Sequence, residues 1–223
     1  MKVARILRVV LTKTTVYIYI FERSRIFRDR FLLWQNGPRA PLAEGPSLAR
    51  HGACGYLGQK PASTMAIRIG FGIDFHQLAE GRAFWLGGVQ IPSSRGAVGH
   101  SDADVLLHAI CDALLGALAL GDIGQHFPNT DPAYKDIDSK ILLANCWQLV
   151  KGRGWRVVNI DSTVTLEAPK IMKHAGAMRE TMARILEIGV EDISVKATTT
   201  EQMGFVGRGE GIVAYATVLL EKL

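Results

Sequence analysis

An aspartate and two histidines carry the first chemical signal in the chain. Asp74 and His76 lie two residues apart in a stretch, Ile67 to His76, whose alternation reads as a strand. Both side chains therefore point to one face. His108 lies in GHSDADVLLHAICDALLGALALGDIG (99–124), four residues from Asp104 and four from Asp112. Most other positions there are apolar, which predicts a helix buried nearly all round, opened by a Ser101-x-x-Asp104 capping box and running to about Leu120. One carboxylate oxygen and two imidazole nitrogens form a three-donor zinc set that leaves a fourth position for substrate. A D-x-H pair alone reads more readily as an ion pair at a strand end. The buried helical histidine favours metal, because such a polar stripe left unsatisfied costs several kcal/mol. Asp112 is the candidate to orient the imidazole.

Other residues offer phosphate or cation chemistry. His100 and Ser101 precede the helix, where side chains and free amides can bind an anion, though a simple cap explains Ser101 equally well. GDIG and FPNTD form a turn-rich loop with Asp122 and Asp131 as polar handles; most such loops only connect. Lys170, in EAPK, could meet a phosphate or stay solvated. Thr198, Thr199, Thr200 and Glu201 leave a strand with three hydroxyls and a carboxylate, suited to phosphate and a hard cation such as Mg²⁺. Arg208 sits on a glycine-rich turn (207–211). There is no nucleophile–base dyad, Walker loop or GxGxxG. The sum is a metal-dependent site for a phosphorylated small molecule.

The elements that position these residues follow from periodicity. After the first strand, Phe84–Leu86 and Val89–Ile91 flank Gly87-Gly88, a two-residue hairpin signal. Helices are expected from Ser139 to about Gly152 and from about Met172 to Ile188, and strands at Trp155–Glu167, Ile193–Thr198 and Ile212–Leu220. Interleaved strands and helices indicate an α/β, more narrowly an α+β two-layer sandwich: a mixed four-stranded sheet covered by helices on one face, plus a small hairpin.

The net charge of +5 is unevenly placed. Residues 1–64 hold 11 Lys and Arg against 3 Asp and Glu, a balance of +8; residues 65–223 hold 15 against 18, a balance of −3. A nucleic-acid reading of the whole protein therefore has little support. His108 and Asp112 interrupt the longest apolar run, which excludes it as a membrane span. Cys54, Cys111 and Cys146 are widely spaced and fit a reducing cytoplasm. Within 1–64, Val9 to Phe21 reads as a strand or short helix, followed by an arginine cluster (Arg23, Arg25, Arg28, Arg30) and Gly/Pro/Ala-rich text from Gly37 to Ala62. This is a basic extension: a transit peptide, a basic tail, or sequence upstream of a start at Met65, outside the folded unit. The last reading is preferred, with 65–223 as the catalytic domain. A bacterial cytoplasmic home follows, or a plastid-type organelle if 1–64 is a transit peptide.

RIGFGIDFH, the 99–124 stretch, FPNTD, EAPK and KATTTEQMGFVGRGEG occur in an order and spacing that resemble the 2-C-methyl-D-erythritol 2,4-cyclodiphosphate synthase family of non-mevalonate isoprenoid synthesis, from Ile67 to the C-terminus. The resemblance implies a homotrimer with active sites between subunits. It implies cyclisation of a cytidine diphosphate substrate, 4-diphosphocytidyl-2-C-methyl-D-erythritol 2-phosphate, with release of CMP. It makes Asp74, His76 and His108 ligands of Zn²⁺, and Glu201 a ligand of Mg²⁺ or Mn²⁺ on the diphosphate. His100 and Thr199 match transition-state stabilisers. Leu166 to Met172, including Ala168, Pro169, Lys170, Ile171 and Met172, matches the cytidine-binding segment. Asp122, Ile123 and Gly124, with Phe127, Pro128, Asn129, Thr130 and Asp131, match the loop on the erythritol phosphate. Ser101, Thr198, Thr200, Phe205 and Arg208 match further contacts. Phe71 and Asn129 depart from common family residues, Asn129 replacing an aspartate in FPDTD. A metal-dependent phosphohydrolase on the same ligands, or a non-catalytic zinc-stabilised trimer binding isoprenoid phosphates, are the alternatives.

Overall fold

The structure, a computed structural model, describes residues 6–12, 15–21 and 66–223. The chain divides into two units, Met1–Tyr56 and Leu57–Leu223. In the first, β1 (Ile6–Thr12) and β2 (Thr15–Phe21) pair antiparallel, so the apolar run expected as one element belongs to two strands. The arginine cluster, the Gly37–Ala62 text, Cys54 and Met65 lie outside the described residues.

The second unit runs β3 (Ile67–Glu80), β4 (Phe84–Leu86), β5 (Val89–Ile91), β6 (Arg95–Val98), α1 (Val105–Ala117), α2 (Ile123–His126), α3 (Ser139–Lys151), β7 (Trp155–Thr165), α4 (Ala175–Leu186), β8 (Ile193–Thr198), α5 (Gly204–Gly207) and β9 (Gly211–Lys222). Its main sheet has the order β6-β3-β9-β7-β8, parallel only between β7 and β8. The sheet thus has five strands where four were expected. β3 continues past His76 to Glu80, and Gln77–Glu80 pair with the four residues of β6. RGAV is too short, and too small in its side chains, to show alternation. The loop expected from Gly121 to Asp131 likewise holds a helical turn, α2, capped by Asp122.

Helix α1 starts at Val105, three residues later than a Ser101 cap would place it, and no Ser101 capping box forms. Ala103 has φ +58°, a left-handed conformation that no right-handed helix can contain. Ser101 Oγ instead accepts from the Ala103 amide at 3.0 Å. Asp104 is the N-cap, its Oδ1 accepting from Leu107 N at 3.1 Å. The same buried carboxylate accepts from Gly87 N at 2.9 Å and Gly88 N at 2.6 Å, the turn of the β4–β5 hairpin. Both glycines have positive φ, as a two-residue hairpin turn requires.

α1 lies directly on β3. A Cβ at Gly70 would stand 1.8 Å from Ala113 O, and one at Gly72 2.0 Å from Ala109 O. Leu106, Leu107, Ile110, Leu114 and Leu115 of α1 are fully buried, in one core with Leu143 of α3, Met178 and Met182 of α4, and Ile212, Ala214, Ala216 and Val218 of β9. On β3 the alternate positions do the opposite: Ile67, Ile69, Phe71, Ile73 and Phe75 are exposed, Ile69 by 68% and Phe71 by 61%. Among the described residues no helix is long and apolar enough to cross a membrane.

Candidate functional site

β3 places Asp74 and His76 on one face, and α1, held against Gly70 and Gly72, brings His108 to them. His76 Nε2 and His108 Nδ1 each lie 3.0 Å from Asp74 Oδ2 and 3.2 Å from each other. A tetrahedral ion with bonds of about 2.0–2.1 Å holds its ligands about 3.3 Å apart, so the spacing fits one. The far ring atoms fix the tautomers. His76 Nδ1 donates to Val98 O at 2.8 Å, and His108 Nε2 donates to Ser139 Oγ at 2.9 Å, which itself donates to Asp102 Oδ1 at 2.5 Å. Two lone pairs and a carboxylate oxygen therefore converge, an arrangement that calls for a cation between them. Burial pushes the Asp74 carboxyl up, but the His108 and His76 rings against it overcome this and hold it well below the usual range. His76 is pushed down by burial and raised more strongly by Asp74, to a net increase. Among the described residues this is the one cluster of three His, Cys, Asp or Glu with convergent ligand atoms.

Ser139, not Asp112, orients the His108 ring. Asp112 Oδ1 accepts from Ile123 N at 2.7 Å and fixes the turn into α2. Asp104 is fully occupied as a cap.

The triad opens into a cavity of about 450 Å³ lined also by Val98, Gly99, His100, Ser101, Ile123, Gly124, Phe127, Asn129, Tyr134, Ile137 and Leu142. Thr130 and Asp131 line an adjoining hollow with Arg82, His100 and Lys135. Pro128 is exposed between them. Asp122 and Asp131 each cap a helical turn, accepting from Gln125 N and Ala133 N at 2.9 Å.

The remaining predicted residues form a second group. Phe75 of β3 pairs with Val213 of β9, Val213 with Thr165 of β7, and Thr165 with Thr198 of β8, one row across the sheet. The β3 and β8 ends thus lie at the same end of the sheet but three strands apart, about 14 Å. Beyond β8, Thr199 Oγ1 donates to Glu201 Oε1 at 2.5 Å, and Thr200 N donates to Glu167 Oε1 at 3.0 Å. Ala168, Pro169, Lys170 and Met172 follow Glu167 at the surface, whereas the Ile171 side chain points into the core at 3% exposure. Phe205 packs beside Phe75 with ring centroids 6.3 Å apart, and Arg208 pairs with Glu210. None of this second group lines the triad's cavity.

Residues 67–221 match the YgbB family. The chain belongs to the YgbB family. A relative from Bacteroides thetaiotaomicron, named 2-C-methyl-D-erythritol 2,4-cyclodiphosphate synthase, is 60% identical over 158 residues, 71% of this chain and 99% of its own length. Among solved structures, the bifunctional IspDF of Campylobacter jejuni is 41% identical with a TM-score of 0.70; the match covers 72% of this chain and 43% of that one. A 2C-methyl-D-erythritol-2,4-cyclodiphosphate synthase in its CDP-bound form is 38% identical with a TM-score of 0.64, covering 69% of this chain and 99% of that one.

Within this YgbB unit, sequence reasoning missed Asp102, Ser139 and Glu167. Ser139 is a fully buried hydroxyl at the first position of α3, just after the Asp138 cap. A cap followed by a second small polar residue was the available signal, though nothing local tells which helix it faces.

Proposed function

We propose that this chain is a 2-C-methyl-D-erythritol 2,4-cyclodiphosphate synthase, converting 4-diphosphocytidyl-2-C-methyl-D-erythritol 2-phosphate to the 2,4-cyclodiphosphate and CMP. The observation that carries the reading is the Asp74–His76–His108 triad opening on a cavity, in a chain 60% identical to a relative of that name over nearly its whole length. Asp74, His76 and His108 hold Zn²⁺, and Glu201 holds Mg²⁺ or Mn²⁺. Bound there, the metals polarise phosphate oxygens and neutralise the charge that builds up on the diphosphate. The protein supplies no nucleophile, because an oxygen of the substrate's own 2-phosphate attacks the β-phosphorus. That P–O bond forms as the bond between the β-phosphorus and the oxygen bridging to the α-phosphorus breaks, and CMP leaves with that oxygen. His100 and Thr199 steady the phosphoryl oxygens by hydrogen bonding, and the cavity between His100 and α2 holds the methylerythritol in a folded pose. The Ala168–Met172 segment receives the cytidine.

The triad on β3 and the Thr198–Glu201 segment at the end of β8 stand about 14 Å apart across one sheet, which favours a site completed by a second copy. The exposed apolar face of β3, with Tyr215 of β9, supports a homotrimer in which the triad of one subunit meets the Thr198–Glu201 segment of the next. The two-layer sandwich then has its open sheet face covered by its neighbours. Residues 1–66 lie outside the family match, in keeping with a catalytic domain that begins near Met65.

Incubation of the purified chain with the diphosphocytidyl substrate, Zn²⁺ and Mg²⁺ tests the reading. CMP and cyclic diphosphate in equal amounts are expected. Release of inorganic phosphate instead identifies a phosphohydrolase, and no product at all leaves only a binding protein.

A further inference from the structure

Glu167 has no role in the mechanism above, yet it joins the two segments of the distal group. It stands just past the end of β7, where Leu166 N donates to Thr198 O at 3.0 Å and so continues the pairing with β8. Its Oε1 accepts from Thr200 N at 3.0 Å and from Gln202 N at 3.1 Å. The Thr200 hydroxyl is 3.1 Å from the same oxygen and shares its proton with Met203 O at 2.7 Å. One carboxylate oxygen thus gathers three donors from a single turn.

The turn needs such a holder. Glu201 and Gln202 have φ of +52° and +65°, two successive non-glycine residues in the left-handed region. In this conformation the Thr199 hydroxyl meets the Glu201 carboxylate at 2.5 Å, so the hydroxyl and the carboxylate are presented side by side. Glu201 is itself exposed. The amides of Gln202 and Thr200 hold the Glu167 carboxyl below the usual range, so the acceptor is a full anion at neutral pH.

We propose that Glu167 is a positioning residue for the synthase reaction: its carboxylate clamps the Thr199–Gln202 turn so that Thr199 and Glu201 reach the diphosphate and its cation together. The clamp also ties that turn to the segment carrying Lys170, so nucleotide and cation are located by one rigid unit. The inference rests on the synthase reading, and its test separates the two.

The full chain and its Glu167→Ala and Glu167→Gln variants are compared by steady-state turnover at varied Mn²⁺, and by Mn²⁺ binding to the CDP complex followed by electron paramagnetic resonance. Glu167→Ala should lower kcat and weaken Mn²⁺ binding each by about tenfold or more, as loss of a residue that orients a metal ligand does. CDP affinity without Mn²⁺ and zinc content should stay as in the parent. Glu167→Gln keeps an oxygen that accepts both amides and should recover most of both losses. Unchanged kcat and Mn²⁺ binding in Glu167→Ala overturn the proposal, as does a loss of CDP affinity and melting temperature that Glu167→Gln shares. A parent chain that binds Mn²⁺ with CDP but turns nothing over overturns the synthase reading alone, and the Mn²⁺ comparison still decides Glu167. A parent that binds no Mn²⁺ overturns both.

Discussion

His76 Nε2 and His108 Nδ1 face each other at 3.2 Å, each with its other ring nitrogen already donating to a fixed partner, Val98 O and Ser139 Oγ. Two lone pairs held so close repel unless a proton or a metal ion lies between them. His108→Ala removes one donor and should reduce bound zinc, measured by atomic emission on the purified protein, to background. Turnover should fall with it. A variant that keeps its zinc removes His108 from the ligand set.

The protonation of the same pair sets a pH dependence. Burial lowers His76 and its bond to Asp74 raises it further, to a net pKa above 6.5 in the metal-free protein. A raised histidine stabilises the fold fully below 6.5, and that contribution is lost as pH rises through its folded value. Asp74, depressed, stabilises above 3.8 and loses its contribution as pH falls toward its folded value. Zinc must displace the His76 proton, so its affinity should weaken from about pH 8 to about pH 6, with about one proton released per ion bound at the lower pH. Competition with a chelator at both pH values measures this; an affinity flat across the range contradicts it.

The close approach of β3 and α1 gives a stability test. In Gly72→Ala the new Cβ meets backbone, Ala109 O at 2.0 Å, which cannot swing aside as a side chain would. The strand and helix must part, at a cost of about 3 kcal/mol. Zinc affinity should fall as well, because the separation moves Asp74 and His76 away from His108. Gly176→Ala, in the first turn of α4 with nothing within 4 Å of the new atom, should stabilise by about 0.5 kcal/mol. Urea denaturation compares the two; equal effects would mean the α1–β3 contact is looser than this.

How much of this was legible in the chain depended on range. Asp74 and His76 share a strand, so their common face follows from a period of two, and a buried histidine in an apolar helix marks itself. The ligand triad was readable for that reason. The start of α1 was not, because Ala103 takes a left-handed conformation that no residue type announces. Asp112 was assigned to His108 from helical spacing alone, while the true partner, Ser139, comes from a different helix. Glu167 acts on a turn 33 residues later, through backbone amides that carry no sequence signature. The four-strand count failed at β6, whose four residues gain their structure only from β3.

Asp104 links α1 to the β4–β5 hairpin through three backbone amides, those of Leu107, Gly87 and Gly88. Asp104→Ala leaves all three buried without an acceptor and should cost about 3 kcal/mol, read as a lower urea midpoint with unchanged slope. Asp104→Asn keeps one acceptor oxygen and should recover about half. Burial raises the Asp104 carboxyl, which makes its charge a cost that the amides offset. An alanine variant as stable as the parent would show that this cost equals the capping gain.

The last prediction concerns the open face of β3. Ile69, Phe71 and Ile73 are exposed in the single chain and contribute nothing to its core, so Phe71→Asp should leave the fold of the chain and its zinc content intact. If the face packs against neighbouring copies, the same change buries an unpaired charge at the interface and disperses the assembly. Sedimentation should then show a monomer in place of a trimer. Turnover should vanish, because the triad and the Thr198–Glu201 segment of one chain remain three strands apart. Added parent protein should restore some activity through mixed trimers. An active monomer would require both groups to serve one substrate within a single chain, and a trimer that survives Phe71→Asp would place the interface elsewhere.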